Sequence, residues 1–287
     1  MNIRIEETLR CKLFEGIASK VWNDINHHHK VKIDMPEIGI TSQIIADILT
    51  YRINFEKNLD VYTNKAYDEN TYGGDIDVFV ETDPNRYRWF ALQAKALKHN
   101  KKYDTIRYNS KSRQQWESLR ILENMTGCKA YYLLYNGMYT AHSLKLNTDS
   151  CYRMFADEQF GCSLVKLNKV EEVANKKHPN GNYKTPSYDD FHPYNAQPWR
   201  TLVCCYLDKG EERQTLYALE DIEEDCKNYY PAQEDFNLEK EKASKEDINS
   251  ESYNLQNEIS VARREAKWNP DYRVIIKRTD NNENDKF

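Results

Sequence analysis

A candidate β-hairpin between Gly73 and Lys95 constrains this chain more than any other stretch. It reads Gly-Gly-Asp-Ile-Asp-Val-Phe-Val, turns at Asp83-Pro84-Asn85, and returns through Phe-Ala-Leu-Gln-Ala-Lys. Proline presets φ, and Asn and Asp tolerate turn geometry, so the two segments become neighbours. Side chains alternate faces along a strand. Asp75, Asp77 and Phe79 therefore share one face of the first segment, and Ile76, Val78 and Val80 take the other. On the second, Gln93 and Lys95 share a face opposed to Leu92, Ala94 and Ala96. A turn centred on Pro84 sets Asp75 opposite Lys95 and Asp77 opposite Gln93. A shift of two residues keeps all four on one face; a shift of one scatters them and conflicts with burial of the apolar face.

Carboxylate and amide oxygens grouped in this way are hard ligands suited to Mg²⁺. Such an ion polarises a phosphate and lowers the pKa of a bound water. A neighbouring lysine orients that water and stabilises the charge developing on the phosphate oxygens. Lys95 lies among Phe90, Leu92, Ala94 and Ala96. An ammonium group in so apolar a strand requires a partner, because burying it alone is costly. A charged edge on an ordinary hairpin is the plainer alternative.

Around the hairpin, Leu9, Leu13, Ile17, Val21 and Ile25 recur at helical spacing and predict a helix over about Glu6–Asn26, ended by His27, His28, His29 and Lys30. A second helix carrying Ile44, Ile45, Ile48 and Leu49 is expected after Pro36 and Gly39, capped by Thr41 or Ser42. Strands are expected at Val61–Tyr67, Gly74–Glu81, Tyr87–Leu97 and Ala130–Tyr135, with an amphipathic helix at Gln114–Met125. This order is that of an α/β fold with a mixed central sheet, N-terminal helices and a C-terminal extension. Beyond Ser143, Cys162–Leu167 and Thr201–Leu207 read as strands, Lys169–Asn175 as a short helix, and Lys176–Gln197 as a long loop. Residues 234–257 are strongly charged and read as a surface helix or mobile segment, Tyr272–Lys277 as an edge strand, and Thr279–Phe287 as disordered. The chain divides into 1–145, the core with its helices; 146–233, a continuation of the α/β domain; and 234–287, a charged, partly flexible segment.

The net charge of −5 does not announce nucleic-acid binding, although a local basic patch governs the field near a cleft more than the total does. No apolar run is long enough to cross a membrane, and the N-terminus has no apolar signal core. Seven cysteines without Cys-x-x-Cys spacing read as free thiols in a reducing, cytoplasmic setting.

Gly-Gly-Asp-Ile-Asp followed by Leu-Gln-Ala-Lys resembles the PD-(D/E)xK nuclease superfamily, in its Mrr-like Gln-x-Lys variant. The resemblance covers about residues 35–135 and implies a restriction-endonuclease-like αβββαβ core. It implies a Mg²⁺-dependent endonuclease, with Mn²⁺ able to substitute, acting on DNA rather than RNA in bacterial defence or DNA processing. Asp75 matches the metal-binding aspartate, Gln93 the second acidic position, and Lys95 the catalytic lysine. Asp77 has no firm counterpart and is either a second ligand or a bystander. Relatives often add a helical glutamate, for which Glu37 is the best candidate and Glu6 and Glu7 are rivals. The resemblance also implies an activating partner or signal, and a homodimer suits cleavage of both strands. A catalytically silent nucleic-acid-binding or assembly protein is the alternative, because a neutral Gln93 binds Mg²⁺ less strongly than a carboxylate.

Lys98, Lys101, Lys102, Arg107, Lys111 and Arg113 follow the proposed catalytic lysine, with Tyr103 and Tyr108 among them. Cations neutralise phosphates and tyrosines stack on bases, so the patch is the expected nucleic-acid contact. Consecutive histidines at 27–29 cannot converge on one ion and read as a helix-end cluster. His99 is a candidate phosphate contact.

Overall fold

Strands that are apolar on both faces need cover on both sides, and helices supply it. The computed structural model describes residues 5–55, 58–64, 75–107, 109–110, 113–138, 156–204, 215–227, 229–232 and 250–278. The chain opens with helices α1 (Ile5–Lys30) and α2 (Glu37–Asn54). Strands β1 (Leu59–Asn64), β2 (Ile76–Asp83) and β3 (Arg86–Ala96) follow, then the two-residue strands β4 (Asn109–Ser110) and β5 (Arg113–Gln114). Next come α3 (Gln115–Thr126), β6 (Lys129–Tyr135), a 3₁₀ turn at Asp157–Gly161, β7 (Cys162–Lys166) and α4 (Leu167–Ala174). The remaining elements are α5 (Tyr188–Phe191), β8 (Ala196–Pro198), α6 (Thr201–Cys204), α7 (Leu219–Asp225), β9 (Tyr229–Pro231), α8 (Ser250–Ala266) and β10 (Tyr272–Ile276).

Eight strands form one mixed sheet in the order β8-β7-β6-β3-β2-β10-β1-β9. The β3/β6 and β10/β2 pairs are parallel and the other five are antiparallel. One face packs on α1, α2 and α6 through Phe14, Ile17, Ile44, Ile48 and Leu202, which meet Val78, Leu92 and Ala94. The other packs on α3, α4, α7 and α8 through Trp116, Leu122, Val170, Ile222 and Ala262, which meet Phe79, Trp89 and Tyr132. The protein is thus an α/β fold in three layers. Among the described residues no helix is long and apolar enough to cross a membrane. Cys11, Cys128, Cys162 and Cys226 are buried free thiols.

Several expectations are corrected. Helix α1 runs through the histidine triplet to Lys30 instead of ending near Asn26; basic groups in a last turn suit the helix dipole. Helix α2 starts at Glu37 behind Pro36, not at Thr41 or Ser42, and Thr41 is buried within it. Thr201–Cys204 is helical rather than a strand, and 205–207 lie outside the described residues. The expected long loop contains α5 and β8. Tyr272–Ile276 is an interior strand and not an edge, paired on one side with β1 and on the other with β2. Its Val274, Ile275 and Ile276 are 0–1 % exposed, which only a strand covered on every side achieves. Strands from 1–145, 146–233 and 234–287 share the one sheet, so those divisions are not divisions of the core. Residues 279–287 lie outside the described residues.

Candidate active site

The β2/β3 hairpin is shifted by two residues from a Pro84-centred pairing. Ile76 lies opposite Leu92 and Asp77 opposite Ala91, and the register slips at a bulge between Glu81 and Asp83. The bulge and the left-handed Asn85 (φ 54°) make the turn tighter than its sequence suggests. Asp75 therefore stands beside Gln93, just ahead of β2. Its Oδ1 accepts the Gln93 amide N–H at 2.5 Å and the Ala94 backbone N–H at 3.2 Å.

Helix α2 brings the second carboxylate. Pro36 at the N-cap holds an extended backbone, and Glu37 follows in the first turn, where the helix dipole favours an acid. The Thr41 hydroxyl donates to the Glu37 carbonyl at 3.0 Å and meets the Tyr135 hydroxyl at 2.8 Å, fastening this turn to the end of β6. Glu37 Oε1 then accepts the Ala96 N–H at 3.3 Å and the Thr105 hydroxyl at 3.0 Å. Its Oε2 lies 3.5 Å from the Lys95 ammonium, whose side chain is only 4 % exposed. The partner that a buried lysine requires is thus Glu37.

Burial pushes the Asp75 carboxyl up to about 7. The Lys95 ammonium and the Ala94 N–H pull against that rise, and the charges of Asp271 and Glu37 add to it. Two carboxylates and an amide oxygen are hard donors, and they fit Mg²⁺ chemically. Among the described residues no three Asp, Glu, His or Cys side chains stand close enough to hold an ion together. Any ion here would therefore need the Gln93 oxygen or water as further ligands.

The structure thus brings Asp75, Gln93, Lys95 and Glu37 together. It does not bring Asp77 to them. Asp77 is fully buried, and its Oδ1 accepts the indole N–H groups of Trp89 and Trp268, each at 2.8 Å. Its Oδ2 faces Arg263 at 2.7 Å and Arg273 at 3.6 Å. Of the two roles open to it, ligand or bystander, it takes a structural one: it joins β2 to α8 and β10. Glu6 and Glu7 fall at the start of α1, and their side chains lie outside the described residues, as do Gly73, Gly74, Tyr108 and Lys111.

The basic patch is also corrected. Tyr103 is fully buried and hydrogen-bonds Asn136, so it cannot stack on a base. Arg107 donates to the Ala174 carbonyl at 2.8 Å and lies 3.5 Å over the Tyr183 ring. Arg113 donates to the Glu265 carbonyl at 3.2 Å. Both guanidinium groups are held by the protein's own carbonyls. Lys101 and Lys102 are exposed and Lys98 is half-buried, in the loop that follows β3. His99 accompanies them, with its backbone N–H 2.7 Å from Asp34 Oδ1.

Sequence reading missed Thr105 and Asp271. Nothing in the sequence marks Thr105. Asp271 carried a signal, since it precedes the apolar run at 274–276 much as Asp75 precedes Ile76.

No curated protein and no solved structure matches the chain. Residues 10–281 match a family of unknown function, and the chain belongs to that family, DUF6615.

Proposed function

We propose that this protein is a divalent-metal-dependent nuclease that hydrolyses phosphodiester bonds, with DNA as the favoured substrate. The observation that carries the reading is the convergence of Asp75, Gln93, Lys95 and Glu37 at one end of the sheet. With the short separate β4/β5 pair left aside, the succession α2-β1-β2-β3-α3-β6 supports it, being the αβββαβ order of restriction-endonuclease-like nucleases, here with β10 inserted between β1 and β2 in the sheet.

In this reading Asp75, Glu37 and the Gln93 amide oxygen hold Mg²⁺ or Mn²⁺. The bound ion supplies Lewis acidity and a water of lowered pKa. Ala94, Ala96 and Thr105 orient the carboxylates through the hydrogen bonds described above, so little rearrangement precedes reaction. The Lys95 ammonium stabilises the charge that develops on the phosphate oxygens. Lys98, Lys101 and Lys102 neutralise neighbouring phosphates. A net charge of −5 limits indiscriminate binding to nucleic acid. A homodimer would place two such sites on the two strands of a duplex.

Plasmid cleavage in Mg²⁺ or Mn²⁺ tests the reading. The wild type should nick or linearise DNA, and Asp75→Ala and Lys95→Ala should each lower the rate by at least about a hundredfold. A second reading, a silent binding or assembly protein, is favoured by one observation: Gln93 donates to Asp75 and Lys95 pairs with Glu37, so the four groups satisfy each other without a ligand. Absence of cleavage by wild type and variants alike, with retained DNA binding, selects that second reading.

A further inference from the structure

Asp271 stands one residue before β10, as Asp75 stands one residue before β2. The two strands run parallel with Tyr272 beside Ile76, so positions 271 and 75 are neighbours across the ladder. The Asp75 carbonyl accepts the backbone N–H of Asp271 at 3.1 Å and that of Tyr272 at 3.4 Å. Matching positions on paired strands direct their side chains to the same face. The charge of Asp271 accordingly acts on the Asp75 carboxyl. The row continues across the sheet, with Gln93 beside Asp75 and Tyr132 beside Gln93. The Tyr132 hydroxyl is fully buried, and burial together with the charge of Asp75 holds it well above the usual tyrosine range, with the Trp116 backbone N–H pulling the other way. The Tyr272 hydroxyl meets Ser42 at 2.9 Å, on the helix that carries Glu37. One short segment, Asp271-Tyr272, therefore touches both elements that present the site's carboxylates.

We infer that Asp271 is a further cation-binding carboxylate of the candidate site, supplying from the C-terminal strand the negative charge that Gln93 does not carry. The inference rests on the metal-dependent reading above. Mg²⁺ held by one or two carboxylates keeps several waters. Asp271 stands too far from Asp75 and Glu37 to complete a direct three-carboxylate cage. It acts through one of those waters and through its charge. The preferred ligand is therefore a small, hard, partly hydrated divalent cation.

The test is Mn²⁺ binding by the full chain, read from the paramagnetic resonance signal of free Mn²⁺. Asp271→Asn keeps the side chain's size and the backbone N–H. It should weaken Mn²⁺ binding about tenfold, since ligand charge sets affinity at such sites, without lowering the melting temperature in EDTA at pH 8. Adding Gln93→Glu to that variant should restore binding. Wild-type affinity in Asp271→Asn, with binding lost in Asp75→Asn, overturns the role of Asp271 and spares the site. No Mn²⁺ binding by the wild type at millimolar metal overturns both. If Asp271→Asn does not fold, Asp271→Glu and Asp271→Ser decide: equal affinity in the two overturns the inference, and weaker binding by the Ser variant alone supports it.

Discussion

Asp75 and Asp77 are two residues apart on the same face and have opposite energetics. Burial raises the Asp75 carboxyl from 3.8 to about 7, so the folded chain binds more protons than the unfolded chain between those values. Stability from this group is present below about pH 4 and is lost as pH rises through 7. The metal-free protein at pH 8 therefore carries an unfavourable charge, as residues kept for function often do. Asp75→Asn should stabilise it at pH 8 by about 1–2 kcal/mol, less than the full shift implies because the residue is partly open to water. Thermal melts in EDTA at pH 8 and pH 4 check this, and a gain of equal size at both pH values sinks it. Asp77→Asn should do the reverse. It removes one of the two carboxylates that the buried Arg263 and Arg273 share, leaving both on Asp225 alone, at a cost of about 3 kcal/mol in denaturant unfolding.

At the scale of elements, α1 packs backbone to backbone on the 3₁₀ turn ahead of β7. A Cβ on Gly161 would lie 1.9 Å from the Ala18 carbonyl oxygen of α1, a contact that only glycine permits. Gly161→Ala should lower stability by about 3 kcal/mol or more, because a packed backbone cannot move aside cheaply. A change in the denaturation midpoint below about 1 kcal/mol would show that α1 can shift. The hairpin register teaches a similar lesson. Pro84 and Asn85 announced the turn, but the bulge at residues 81–83 set which residues face each other, and a bulge has no compositional signature here. The face was therefore legible from alternation, while the pairing of Asp75 with Gln93 was not.

The whole molecule is held by a strand that arrives last. β10 lies between β1 and β2, so truncation after residue 267 should remove the cooperative unfolding transition measured by circular dichroism. A truncated chain that melts as sharply as the intact one would refute this. Far from the site, His192 is fully buried, its Nε2 2.7 Å from the Ser163 hydroxyl and its ring stacked on Tyr188. Burial lowers it from 6.5 to about 3, opposed by its hydrogen bond to the Tyr188 carbonyl. The unfolded chain takes up this proton first as pH falls, so stability is full above about 6.5 and declines towards 3 by about 1.4 kcal/mol per pH unit. His192→Gln should flatten that slope in urea titrations between pH 6 and pH 4. An unchanged slope would assign the acid sensitivity to other groups.

What local order dictates, the amino-acid sequence determined unaided: strand alternation set Asp75 apart from Ile76, helical spacing drew α1, α2 and α3, and the apolar surroundings of Lys95 demanded an acidic partner. Which acid answers it, which tyrosines are buried, and where the last strand inserts depended on contacts between residues tens to hundreds of positions apart. Glu37 is 58 residues from Lys95, and Trp268 is 191 from Asp77. Periodicity reports a residue's own face but not the neighbour that covers it, so those choices belonged to the tertiary structure alone.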